Sequence, residues 1–141
     1  SMLAIGETLV WSYVNPVGDA EHHGCVMIWR DGEAAKIWLT SERTGSDWMM
    51  ARKSDTAVWL IERFQDPAID RHRFRVLEAV IGEKPEVVRD WALDEHRVGE
   101  GGFTMLSENE ILFARYPNVF VMELGSAPRL WKPNGGRARA W

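Results

Sequence analysis

The chain has 141 residues, 45% of them hydrophobic and 27% charged, with a formal net charge of −4. That length bounds it to about one domain with a sizeable core, and the acidic balance weighs against nucleic acid or an anionic membrane as partner. One cysteine excludes an internal disulfide and fits a reducing compartment. No apolar run is long enough to span a membrane and no secretory leader is visible, so the cytoplasm is the expected location.

Ser1 stands ahead of Met2 and reads as a remnant of cloning, so residues 1–141 are taken as a single domain with Ser1 set aside. Leu9, Trp11 and Tyr13 then alternate with Val10, Ser12 and Val14, the period-two pattern of a strand. Residues 19–25, Asp-Ala-Glu-His-His-Gly-Cys, are the densest group of metal-competent side chains. Adjacent His22 and His23 diverge in an extended chain, and the spacing matches no metal motif, so no metal or other cofactor is expected.

Residues 25–40 read as a hairpin turning at Asp31-Gly32, because Asp-Gly supplies the positive φ values of a two-residue turn. That turn pairs Arg30 with Glu33, Ile28 with Ala35 and Val26 with Ile37. One face then carries Val26, Ile28, Ala35, Ile37 and Leu39, and the other Cys25, Met27, Trp29, Ala34, Lys36, Trp38 and Thr40. A second hairpin, residues 47–63, turns at Ser54-Asp55. It puts Met49, Ala51, Val58 and Leu60 on one face and Trp48, Met50, Trp59 and Ile61 on the other.

Residues 73–81 read as a strand. Residues 86–96 fit an amphipathic helix and a strand equally, with Pro85 suited to a first helical turn. Residues 103–106 and 111–115 flank a turn at Glu108-Asn109, and Pro117-Asn118 leads into a strand at 119–124. The chain is therefore predicted to be mainly β, an antiparallel up-and-down meander of about nine to eleven strands with at most one or two short helices. A barrel or strongly curved sheet of calycin-like size is the first expectation, because closure removes exposed edges. The alternative is an α+β fold whose antiparallel sheet is covered by helices from residues 67–97.

Tryptophan is the unusual component: the chain has eight, against two tyrosines. If the registers agree, Trp29, Trp38, Trp48 and Trp59 line a common surface with Met27 and Met50. Such a surface inside a barrel would hold an apolar or aromatic small molecule; packing, either as a second core layer or as a homodimer interface, is the competing reading. Residues 71–75, Arg-His-Arg-Phe-Arg, place Arg71, Arg73 and Arg75 on one strand face. They form either a ridge for an anionic ligand or a face paired with acids, for which the stretch 83–100 offers many.

Glu62, Glu78 and Glu123 fall at strand positions among apolar residues, and a buried one could act as an acid or base. Gly99-Glu100-Gly101-Gly102 lacks the Lys-Ser/Thr of a phosphate loop. No nucleophile elbow or triad signature accompanies Cys25 or the serines. Residues 129–141 carry Arg129, Lys132, Arg137 and Arg139 without an acid, and in the tail at 134–141 Trp141 is expected to anchor on this chain or on a second copy.

Three functions follow in order: a small-molecule binding protein with a Trp/Met-lined cavity; an enzyme on the same scaffold with an Arg anchoring an anionic substrate and a His or carboxylate moving a proton; and an interaction or homodimeric domain using the Trp face and basic tail. The candidate ligand-binding residues are Trp29, Trp38, Trp48, Trp59, Met27, Met50, Arg73 and Arg75.

Overall fold

A computed structural model describes residues 1–17, 21–68, 71–82, 84–92, 103–115, 117–123 and 126–131. The chain falls into two compact units, Ser1–His96 and Arg97–Trp141. Every regular element described is a strand. In the first unit these are β1 (Met2–Ile5), β2 (Thr8–Val17), β3 (Glu21–Arg30), β4 (Lys36–Thr44), β5 (Asp47–Arg52), β6 (Ala57–Asp66), β7 (Arg71–Val80) and β8 (Glu86–Ala92). The second unit holds β9 (Phe103–Met105), β10 (Glu110–Arg115), β11 (Asn118–Glu123) and β12 (Arg129–Leu130).

Mainly β and antiparallel is therefore correct. The meander is cut into three sheets, ordered β1-β2-β3-β4, β5-β6-β7-β8 and β12-β11-β10-β9, and no closed barrel is formed among the described residues. The α+β alternative fails, because β7 and β8 occupy most of residues 67–97 as strands. The even balance at 86–96 resolves to strand through Ala92, with 93–96 outside the described residues. In β8 the partner strand supplies what periodicity left open: residues 86–92 pair along β7 from Glu78 to Arg73. Tertiary pairing overrides a short amphipathic pattern of this kind.

In the first unit the first two sheets face each other. Val10, Val26 and Ile28 of the first meet Trp48, Met50, Val58, Leu60, Leu77 and Ala79 of the second in one buried cluster. Along the core face of β6, Val58 and Leu60 are followed by Glu62, Phe64 and Asp66, so the inter-sheet layer passes from apolar to charged. The other face of the second sheet is buried too, at Ala51, Trp59, Ile61, Phe74 and Val76. In the second unit Phe113 and Phe120 are cross-strand partners, stacked with centroids 5.6 Å apart.

Both predicted hairpins exist, and both differ in register. The turn after β3 has Gly32 at φ +77°, as the Asp-Gly reading requires. However, β4 starts only at Lys36, and Ile28 pairs with Lys36, Met27 with Ile37 and Val26 with Leu39. Trp38 is the extra residue of a β-bulge, which re-aims a side chain at the cost of one ladder pair. Ile37, predicted to be core, is consequently 50% exposed, while Trp38 and Leu39 pack on the core.

In the second hairpin the loop spans 53–56, with the Lys53 and Ser54 amides both donating to the Ala57 carbonyl. Arg52 therefore pairs with Val58 and Ala51 with Trp59, a one-residue slip from the two-residue turn. Such a slip exchanges the faces of one strand relative to its partner.

Candidate functional site

The register of β5, β6 and β7 lines up Trp48, Glu62 and Arg75 as one row on the core face of the second sheet. Glu62 is 2% exposed, the one buried acid of the described residues. Its partners come from two sheets. Ser41 Oγ donates to Glu62 Oε1, Arg43 Nη1 donates to Oε2 at 3.3 Å, and Arg75 Nη1 lies 4.0 Å from the same oxygen. A buried carboxylate persists only when charge and hydrogen bonds replace its hydration.

The irregular end of β4 delivers Ser41 and Arg43. His23 pairs with Thr44 and Cys25 with Thr40, so Ser41, Glu42 and Arg43 occupy the stretch where the ladder shifts register. Ser41 Oγ also accepts from the Arg43 amide at 3.0 Å, and the Ser41 carbonyl accepts from His23 Nδ1 at 3.0 Å. The Arg43 guanidinium lies 3.9 Å from the centroid of the Phe64 ring, a cation–π contact two residues along from Glu62. Gly24 closes the site from β3. Its amide donates to Ser46 Oγ at 3.2 Å and its carbonyl accepts from Trp48 Nε1 at 2.9 Å.

Chemically this is a closed network. Ser41 is 5% exposed and its hydroxyl is engaged on both sides, so a substrate has no approach to it as a nucleophile. Glu62 has three donors around it. The arrangement ties the charged end of the two sheets together.

The sequence-predicted residues distribute as follows. Trp48 and Met50 share the core face with Val58 and Leu60, whereas Trp59 sits on the opposite face with Met49, Ala51 and Ile61. The four indoles thus line no common surface; the slip in the second hairpin separates Trp48 from Trp59. Trp59 is covered by Lys53, whose Nζ lies 4.6 Å from the ring centroid and 2.5 Å from Glu78 Oε1. Trp29 and Met27 lie half-buried on the far face of the first sheet, and Trp38 leaves that face at the bulge.

Arg73 and Arg75 share a face as expected. Arg73 Nη1 donates to Asp66 Oδ2 at 3.3 Å, so the preceding strand supplies an acid to each, and β8 sets Asp90 opposite Arg75 in the ladder. Of the three flagged carboxylates, Glu78 is half-buried and Glu123 exposed. Asp19 and Ala20, the glycine run 99–102 and the tail with Arg137, Arg139 and Trp141 lie outside the described residues. Among the described residues no group of three His, Cys, Asp or Glu is placed to hold a metal.

Sequence reasoning missed Ser41, Arg43 and Ser46. The run Ser-Glu-Arg-Thr at 41–44 is polar in a strand, and nothing local says that it turns inward at a shifted register.

The far face of the first sheet is the other distinctive feature. Leu9, Met27 and Trp29 are half-buried there, and Met2, Tyr13 and Ile37 are 63%, 49% and 50% exposed. Cross-strand pairs Met2–Trp11, Trp11–Met27 and Met27–Ile37 put these residues side by side across all four strands. Trp11 is half-buried and also packs on the core cluster. Cys25 is fully buried on this face, its Sγ 3.7 Å from Thr40 Oγ1. None of these positions carries a charge.

No helix among the described residues is long and apolar enough to cross a membrane. No protein-family model, no curated protein and no solved structure matches this chain.

Proposed function

We propose that this chain is a protein-interaction domain that presents the far face of its first sheet to an apolar sheet face of a partner protein. The observation that carries this reading is an uncharged row of apolar side chains crossing four strands, with Met2, Tyr13 and Ile37 about half or more exposed. Contiguous exposed apolar surface of this kind marks interaction sites, while scattered single residues do not. Aromatic and methionine side chains suit such a surface, since they supply large contact area with few rotatable bonds or with adaptable shape.

The rest of the unit acts as a rigid support. The core cluster and the Glu62 network hold the first sheet against the second, so the presented face is pre-organised and little ordering entropy opposes docking.

A solvatochromic dye tests the reading at roughly 0.1 µM chain, where micromolar self-association is absent. The dye should bind the parent, and Met27→Lys should reduce the signal severalfold with an unchanged circular dichroism spectrum. Equal dye binding by parent and variant would remove the far face as the sticky surface.

A further inference from the structure

We infer that the partner is a second copy of this chain, the two far faces packing sheet on sheet about a two-fold axis. The inference rests on the docking reading above and names its occupant.

The first argument is charge. The central far-face positions are uncharged, from Met2 and Ala4 through Leu9, Trp11 and Tyr13 to Met27, Trp29 and Ile37, and the exposed Glu42 lies toward one end of β4. An isologous interface brings each residue near its own copy or its symmetry mate, so a face carrying one sign of charge would repel itself. The centre of this face has nothing to repel. That centre equally has no charge with which to select a partner of complementary potential, which is how unlike chains are steered together.

The second argument is area. β2 and β3 are each ten residues long and lie in the middle of four strands. At about 3.3 Å per residue and about 4.8 Å between strands, the face projects to about 500–600 Å². Two copies would bury about 1,000–1,200 Å², the lower edge of specific interfaces and enough for a micromolar dimer.

The third argument is the chain's own packing. The opposite face of this same sheet already packs on a four-stranded antiparallel sheet with a Trp and Met contribution, through Trp48 and Met50. A twisted antiparallel sheet therefore fits against this sheet by aligned face packing, at a spacing of about 10 Å. The second copy's first sheet offers the same shape and composition to the far face.

Sedimentation equilibrium of the full chain over roughly 1–200 µM reads the result. The parent should move to twice the 16.2 kDa of one chain with a micromolar dissociation constant. Met27→Lys places like charges in a desolvated centre and should raise that constant at least about 100-fold. Ile37→Lys sits at an already exposed position, cannot disturb the fold of the single chain, and should do the same. Val87→Lys, at a 51% exposed residue of β8, should leave the dimer intact.

A parent that stays at the mass of one chain throughout overturns the inference, as does a dimer that neither far-face variant weakens. A monomer whose dye binding still depends on Met27 leaves the docking reading standing with a different protein as partner. A monomer without Met27-dependent dye binding overturns both.

Discussion

A β-carbon placed on Gly24 would stand 2.7 Å from the Ser46 carbonyl oxygen and 2.9 Å from Trp48 Cδ1, closer than real contacts allow. The first clash is with backbone, which cannot rotate away. Gly24→Ala should therefore destabilise the fold by about 2–3 kcal/mol through overpacking, with Trp48 displaced from its hydrogen bond. Denaturant unfolding checks the magnitude, and a blue-shifted or unshifted Trp emission with parent-like stability would refute it.

Glu62 tests the opposite kind of contact, a buried charge held by neighbours. Glu62→Gln keeps the shape and removes the ion pair with Arg43 and Arg75, whose side chains are 33% and 25% exposed. Because water can reach them, the loss should be about 2 kcal/mol, below the cost of breaking a fully sealed pair. A Glu62→Gln variant as stable as the parent would mean that the network contributes no net stability.

The hairpins show how an element takes its faces from its turn. Gly32 has φ +77°, and a β-carbon added there would meet nothing within 4 Å, so a side chain at this position faces backbone strain alone. Gly32→Val should cost more than about 1 kcal/mol, and Gly32→Asn markedly less, because Asn tolerates positive φ. Equal melting temperatures for the two variants would show that the turn relaxes at no cost.

At the same scale the sequence was most legible and most misleading. The strands at residues 9–14, 25–40, 47–63, 73–81 and 103–124 were readable from alternation and turn residues. Their pairing was not. A four-residue loop in place of a two-residue turn moved Trp59 to the face opposite Trp48, and the bulge at Trp38 turned Ile37 outward. Alternation specifies that two faces exist, and only loop length and bulges decide which residues of neighbouring strands share one.

For the whole molecule, salt separates two ways of associating. An interface made of the apolar centre of the far face should hold or tighten between roughly 0.05 and 1 M sodium chloride, since screening has no attraction to remove. Association through the basic residues 129–141 would weaken over the same range. Sedimentation at the two salt concentrations decides between them. A dimer lost at high salt would point to the tail.

The sequence by itself determined the class of this protein: short β-branched and aromatic runs punctuated by Gly, Pro, Asn and Asp admit strands and no long helix. It also marked Arg73, Arg75 and Glu62 as strand residues with chemistry to satisfy. The tertiary structure alone decided that the meander is cut into three sheets, that Ser41 and Arg43 meet Glu62 from across the layer, and that the tryptophans part company. The physical reason is range. Local pattern sets the backbone state of each segment, whereas Glu62 and Ser41 are brought together only when two whole sheets pack, 21 residues apart in the chain.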